Sequence, residues 1–135
     1  MGTRCCVTVV DRRGERRKIY RHWDGYPESA AGVLAGIEDA KKYAWPEPRF
    51  EASDFAAALI RAWKTEGGGN INVCSFDHEH GDLDFDYTIG PDKEGGELVV
   101  TIVDVWSERK GDLKRVSIPL WDNLLEESRT FRFST

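Results

Sequence analysis

The residues of this chain that are best suited to chemistry are His22 and Asp24, in the stretch Tyr-Arg-His-Trp-Asp-Gly-Tyr-Pro at residues 20–27. Residues two apart on a β-strand share a face, and a carboxylate beside an imidazole fixes the tautomer that a general base needs. The pair therefore suits a small hydrolase or transferase. In the structural alternative, Asp24 and Gly25 turn the chain, and Asp24 accepts backbone N–H groups at a helix start. We favour this alternative. No serine or cysteine at an elbow-type turn accompanies the pair, so a nucleophilic triad cannot be proposed.

A second candidate is the run Asp77-His78-Glu79-His80. Two histidines at alternate strand positions would lie on one face, which is a spacing that zinc sites use. Gly81 and the alternating segments on both sides indicate a hairpin loop instead, where a solvated polar tetrapeptide is the common outcome. A third ligand would have to come from His22 or a carboxylate. The sequence predicts no bound metal and no other cofactor.

Acidic residues are concentrated in residues 77–97, which carry eight of them against one lysine. Within this region Asp82, Asp84 and Asp86 alternate with apolar residues, so a strand would present their carboxylates in a row about 7 Å apart. This spacing is too long for two carboxylates that share a proton, and the glycine and terminal glutamate of a calcium loop are missing. Such a row usually faces water. Alternatively, together with Asp77 and Glu79, it copies the phosphate spacing of a nucleic-acid strand and occupies a basic groove on a partner.

Residues 1–24 have the opposite charge, with seven basic residues against three acidic ones. Most of the basic residues surround Arg12-Arg13-Gly14-Glu15, which is the predicted loop of a β-hairpin. Basic side chains next to aromatic ones suit a phosphate-bearing ligand or an RNA backbone, and a solvated hairpin is the alternative. The candidate ligand-binding residues are Arg16, Lys18, Tyr20 and His22.

The stretch at residues 20–27, with the Glu28-Ser29 and apolar helix that follow it, resembles small proteins of bacteria and their phages. These proteins carry Tyr-x-His-Trp-Asp/Asn-Gly-x-Pro just after an N-terminal β-hairpin. The resemblance covers roughly residues 4–45. It implies a bacterial cytoplasmic or mobile-element setting, and no catalytic residue is carried over from it.

The composition predicts a cytoplasmic protein of one domain. The 135 residues suffice for a core of their own, and no apolar run approaches the roughly 18 residues that a membrane span needs. No secretory signal is visible. Cys5, Cys6 and Cys74 are an odd number without metal-ligand spacing, which favours buried thiols in a reducing compartment over disulfides. The five tryptophans are too scattered for a binding site, so we expect most of them in the core.

The hydrophobic periodicity predicts an α+β fold, in which two main helices pack on one face of a mostly antiparallel sheet of five or six strands, in the order ββααββββα. A run that is apolar on both faces, at residues 98–103, predicts a central strand. The predicted strands are residues 4–11, 16–23, 71–76, 82–89, 98–106 and 114–118. The predicted helices are residues 27–43, 54–64 with Ser53 as N-cap, and 121–127.

These patterns lead to one functional hypothesis and two alternatives. The first is a small non-enzymatic binding protein of phage or mobile-element type, such as an anti-CRISPR or other anti-defence inhibitor. Its acidic surface between Asp77 and Asp86 would bind a basic nucleic-acid-binding complex of the host. One alternative is a protein that sequesters a nucleotide or phosphorylated ligand through the basic hairpin. The other is the small hydrolase or transferase centred on His22 and Asp24.

Overall fold

The computed structural model describes residues 2–46, 49–64, 70–75, 81–92, 98–113 and 115–119. Within these residues the chain is α+β, with a six-stranded sheet and three helices. The strands are β1 (Cys5–Val10), β2 (Arg16–Arg21), β3 (Ile71–Cys74), β4 (Phe85–Pro91), β5 (Leu98–Asp104) and β6 (Arg115–Pro119). The helices are α1 (Val33–Ala40), α2 (Ala52–Trp63) and α3 (Val105–Arg109).

The sheet is mixed, which corrects the prediction of a mostly antiparallel one. Its strand order is β3-β2-β1-β4-β5-β6. β1 runs parallel to β4, with Val7 opposite Tyr87, whereas the other neighbouring pairs are antiparallel. Parallel neighbours need a long crossover connection, which here contains β2, α1, α2 and β3. The local pattern of the sequence does not reveal such a pairing.

One face of the sheet forms the core. Val7, Ile19, Tyr87 and Ile102 lie opposite one another across four neighbouring strands, and all four are fully buried. They belong to one hydrophobic cluster with the buried residues of α1 and α2. The two helices pack against each other, and α2 packs against β1 and β2. The alternation of side chains along each strand leaves its other residues on the opposite face.

Helix α1 is shorter than the predicted helix at residues 27–43. Ser29 has a φ of 88°, which an α-helix does not accommodate, and Gly32 is extended, with φ −75° and ψ 177°. The helix therefore begins only at Val33. The N–H groups of its first two residues donate to the carbonyl oxygens of Tyr26 and Pro27, at 2.9 and 3.1 Å, so the first turn is capped by the preceding segment.

Helix α2 begins at Ala52, so Ser53 is a helical residue and not the predicted N-cap. The cap comes from Asp11, which is 4% exposed and whose Oδ2 accepts the Ala52 N–H at 3.0 Å. Its Oδ1 accepts the N–H groups of Arg13 and Glu15 at 2.9 and 3.1 Å. Desolvation opposes ionisation, but these three donors and the charge of Arg13 outweigh it, and the pKa of Asp11 is lowered. Asp11 thus joins the hairpin loop to α2.

The order of elements differs from the prediction after β5. Residues 105–109 form α3, and its N-cap Asp104 accepts the N–H groups of Trp106 and Ser107 at 3.1 and 3.3 Å. The order within the described residues is therefore ββααβββαβ, and the predicted helix at 121–127 lies outside them. β5 lies between β4 and β6, inside the sheet. None of the helices in the described part of the chain is long and apolar enough to cross a membrane.

Candidate functional site

A cavity of about 480 Å³ lies at the base of the N-terminal hairpin, between the segment after β2, the start of α1 and the end of α2. Cavities of this volume accommodate small-molecule ligands. Between residues 30 and 36 its wall contains only alanine and glycine, so the backbone lies close to the cavity. Its polar and aromatic lining residues are Arg21, Trp23, Asp24, Asp39, Trp63 and Asn70.

The turn after β2 is held by Asp24 and Gly25. Asp24 has a φ of 58°, a left-handed conformation that Asp adopts more readily than most residues, and its Oδ1 accepts the Tyr26 hydroxyl at 2.7 Å. Gly25 donates its N–H to the Thr3 oxygen at 2.7 Å, and its own carbonyl oxygen accepts the Tyr87 hydroxyl at 2.7 Å. A Cβ at Gly25 would lie 2.7 Å from the Thr3 oxygen, so the close approach requires glycine.

Arg21 supplies positive charge at the cavity. Its guanidinium lies 4.4 Å from the centroid of the Trp63 ring, and Nη1 donates to the Asp24 carbonyl oxygen at 3.1 Å. The ion pairs recorded among the described residues do not include Arg21. Burial lowers the pKa of Arg21, although a guanidinium stays protonated at neutral pH. The cavity thus contains a partly buried cation, together with the carboxylates of Asp24 and Asp39.

Two tryptophans form the aromatic part of the lining. Trp23 is 43% exposed, and its Nε1–H donates to the Asn70 Oδ1 at 3.1 Å, which fixes the indole beside the cavity. Trp63 is partly buried and packs against the hydrophobic core. A Cβ at Gly36 would overlap with the Nε1 of Trp63, so the small residue lets α1 approach this ring.

The tryptophans are less buried than the sequence predicts. Trp23, Trp45 and Trp106 are 43, 45 and 52% exposed, and Trp121 lies outside the described residues. The prediction that most tryptophans lie in the core is therefore wrong.

The prediction of buried thiols is confirmed for Cys5 and Cys6, which are fully buried. Burial raises the pKa of Cys6 to about 12.

His22 and Asp24 have different hydrogen-bond partners. The His22 Nδ1 lies 2.9 Å from the Tyr20 hydroxyl, whereas the Asp24 carboxylate accepts the Tyr26 hydroxyl and not backbone N–H groups at a helix start. The His22 backbone N–H donates to the Asn70 oxygen at 2.9 Å and so joins the end of β2 to the start of β3. Asp24 lines the cavity and His22 does not. A catalytic pair thus has no hydrogen bond to support it among the described residues.

The residues predicted to bind phosphate lie on the other face of the sheet. Arg16, Lys18 and Tyr20 alternate with residues of the core side along β2, where Ile19 is fully buried. Arg21 lies two residues after Ile19, on the same face of the strand, and lines the cavity. It was not among the predicted binding residues. The alternation around Ile19 was the signal that could have identified it.

The acidic row is interrupted. β4 begins at Phe85, so Asp82 and Asp84 precede the strand. Asp82 is exposed and pairs with the Arg4 Nε at 3.3 Å. Asp84 is half-buried, and its carboxylate accepts the Arg4 N–H at 2.9 Å and the Trp106 Nε1–H at 2.6 Å. Asp84 therefore holds α3 and the N-terminal segment together, and its carboxylate is engaged within the protein.

The remaining candidates give no metal site in the described part of the chain. Burial raises the pKa of Asp86, which is half-buried on the face opposite to the core, while the charge of Lys18 acts in the other direction. No group of three or more His, Cys, Asp or Glu among the described residues could hold a metal ion. The predicted run Asp77, His78, Glu79 and His80 lies outside these residues.

No protein-family model, curated protein or solved structure matches this chain. The resemblance to phage proteins therefore stays a prediction. Function has to be argued from the geometry and chemistry of the site, because a fold of this class hosts many activities.

Proposed function

We propose that this protein is a non-enzymatic binding protein that sequesters a nucleotide or another small phosphorylated ligand in the cavity beside Arg21. The observation that carries the proposal is the partly buried guanidinium of Arg21, which has a ring neighbour and a backbone acceptor but no recorded ion pair among the described residues. Burial of this charge is unfavourable, and the nearby charge of Asp24 offsets the cost only in part, since the pKa of Arg21 is still lowered. A phosphate group would offset this cost through charge-assisted hydrogen bonds.

The other groups at the cavity suit the rest of a nucleotide. The half-exposed indole of Trp23 offers a surface on which a base stacks. Asp24 and Asp39 accept hydrogen bonds from hydroxyl or amino groups, such as those of a ribose or a base. Because the Asn70 Oδ1 already accepts from Trp23, its amide N–H groups remain as donors.

The lining favours binding over catalysis. Among the described residues that line the cavity there is no serine, threonine, cysteine, histidine, lysine or tyrosine, so the usual nucleophiles other than carboxylates are missing there. Two non-glycine residues with positive φ, Asp24 and Ser29, lie in the segment that leads into the cavity wall. Backbone strain of this kind is common at ligand sites that are held in a fixed shape.

The resemblance to phage proteins supports an anti-defence role for such a protein. In this role the protein would sequester a ligand that the defence machinery of the host requires. The version of this role that acts through the acidic surface has weaker support. Its central carboxylate, Asp84, is engaged by Arg4 and Trp106.

Isothermal titration of the purified protein with nucleoside mono-, di- and triphosphates and with inorganic phosphate tests the proposal. We expect Arg21→Gln to weaken binding about tenfold or more, because a hydrogen bond to a charged group contributes about 1.5–3 kcal/mol. Arg17→Gln is the matched control, since Arg17 lies on the same strand and face but outside this cavity. It should leave the affinity unchanged.

Three results would count against the proposal. The first is the absence of binding at millimolar concentrations of every phosphorylated compound, and the second is equal affinity of wild type and Arg21→Gln. The third is chemical conversion of the ligand, detected by chromatography of the mixture after incubation. Conversion that is lost in Asp24→Asn would favour the hydrolase or transferase alternative.

A further inference from the structure

We propose that the cavity beside Arg21 selects guanine among the nucleobases, an inference that rests on the proposed function. Two groups of the lining carry it, namely the side-chain amide of Asn70, whose oxygen is engaged by Trp23, and the carboxylate of Asp39. The first group offers donors to a ligand and the second offers acceptors. Guanine is the base whose edges match both.

The orientation of the Asn70 amide is fixed by Trp23. An indole N–H is only a donor, so the atom that accepts it at 3.1 Å has to be the amide oxygen. Asn70 is exposed and lines the cavity, and its amide N–H groups therefore serve as donors to a ligand. Asparagine reads adenine with its oxygen and nitrogen together, at N6 and N7, and this orientation does not suit that contact. It suits the two acceptors of guanine, N7 and O6.

The carboxylates of the lining complement the other edge of guanine. An ionised carboxylate is only an acceptor, and it has two oxygens side by side. Guanine presents two adjacent donors, N1–H and the 2-amino group, on its Watson–Crick edge, whereas adenine, cytosine and uracil have no two adjacent donors on theirs. A carboxylate that binds both donors forms charge-assisted hydrogen bonds, which are about twice as strong as neutral ones.

Of the two carboxylates, Asp39 is the one available to the base. Asp24 accepts the Tyr26 hydroxyl at 2.7 Å, and its charge acts on Arg21, so it lies near the guanidinium that would hold the phosphate. Asp39 lies in α1 and is partly exposed, and its Oδ1 is 3.5 Å from the Lys42 Nζ. An exposed pair of this kind contributes little, so a ligand replaces it at low cost.

Selection of the base also accounts for the carboxylates in a cavity that binds an anion. Among the described residues of the lining, one guanidinium is accompanied by two carboxylates, which repel a bare phosphate. A base that donates to a carboxylate offsets this repulsion, and inorganic phosphate has no such group. The indole of Trp23 is joined to Asn70, so a base that stacks on this ring has the amide beside it.

Isothermal titration with the monophosphates of guanosine, adenosine and inosine (GMP, AMP and IMP) and with inorganic phosphate tests this selectivity. We expect GMP to bind at least about tenfold more tightly than AMP, because one hydrogen bond to a charged group corresponds to a factor of about ten or more. IMP retains N1–H but lacks the 2-amino group, so its affinity should lie between these two. Inorganic phosphate should bind most weakly.

The ratio of the affinities for GMP and AMP is the readout for the variants, because a general change in charge or stability affects both nucleotides. Asp39→Asn should lower this ratio about tenfold or more, since an amide accepts only one of the two guanine donors. Asn70→Asp keeps an acceptor for the Trp23 N–H but removes the donors, so it should lower the ratio as well. The control is Glu28→Gln, which removes a carboxylate that is exposed and outside the cavity lining, and it should leave the ratio unchanged.

Equal affinities for GMP and AMP, both weakened by Arg21→Gln, would overturn the selection of guanine and leave the phosphate site intact. Tighter binding of AMP, or a ratio that neither Asp39→Asn nor Asn70→Asp changes, would overturn it too. If no nucleotide binds, or if binding does not depend on Arg21, the proposed function fails and the selectivity fails with it.

Discussion

Replacement of Asp11 is the sharpest test of how the hairpin is joined to α2. In Asp11→Ala three backbone N–H groups lose a charged acceptor. Water can replace the acceptor for Arg13 and Glu15, which are exposed, but Ala52 is fully buried. A hydrogen bond to a charged group contributes about 1.5–3 kcal/mol, and an unsatisfied buried donor costs about 1–3 kcal/mol. We therefore expect Asp11→Ala to lower the free energy of unfolding by about 3–5 kcal/mol, and Asp11→Asn, which keeps one acceptor oxygen, by about 1–3 kcal/mol.

The effect of Asp11 also has a defined dependence on pH. Its pKa is lowered in the folded protein, so its contribution to stability is complete above the ordinary pKa of an aspartate and is lost as the pH falls through the folded pKa. The difference in unfolding free energy between the wild type and Asp11→Asn should be constant around pH 7. It should shrink below about pH 4.

Urea unfolding followed by circular dichroism at pH 7, 5 and 3 measures these differences. Asp39→Asn is the control, because Asp39 forms an exposed pair with Lys42 at 3.5 Å and such pairs contribute about 0.5 kcal/mol or less. The reasoning is refuted if Asp11→Ala lowers the free energy of unfolding by less than about 1 kcal/mol. It is refuted equally if the difference between wild type and Asp11→Asn increases on acidification.

Two further changes test the packing around the two faces of the sheet. Gly36→Ala would stabilise an isolated helix by about 0.5–1 kcal/mol, but here the added Cβ overlaps with the Trp63 Nε1. We therefore expect thermal unfolding to show a net decrease of about 1–3 kcal/mol in the free energy of unfolding. A rise in melting temperature would show that α1 and Trp63 separate easily. Because burial raises the pKa of Asp86, its ionised form destabilises the fold at neutral pH, and Asp86→Asn should raise the melting temperature at pH 7 but not at pH 3. A lower melting temperature at pH 7 would contradict this.

The local elements of the fold follow from the sequence where the hydrophobic period is regular. The predicted hairpin at residues 4–11 and 16–23 corresponds to Cys5–Val10 and Arg16–Arg21. The parallel pairing of β1 with β4 joins segments about 80 residues apart, as in Cys5 opposite Phe85, and no local pattern encodes it. Helix α3 had a signal in Asp104, a good N-cap residue, but the apolar run of β5 extends up to it and conceals the change of period.

The candidate sites were harder to predict because they depend on contacts between distant residues. Arg21 could be assigned to the core side from its parity with Ile19. The alanines and glycines at residues 30–36 indicate only that another part of the chain packs closely against this backbone. The residue that does so at Gly36 is Trp63, which is known only from the packing of α1 on α2.

The overall charge of the protein bears on the proposed function. A net charge of −5 gives a long-range field that repels polyanions, so affinity for phosphate cannot come from non-specific attraction. It has to come from a guanidinium group that the fold holds in place, which is Arg21 stacked on Trp63. Salt screens the repulsion as well as the local attraction, so phosphate binding at this site should depend on salt less than binding to a general basic surface does.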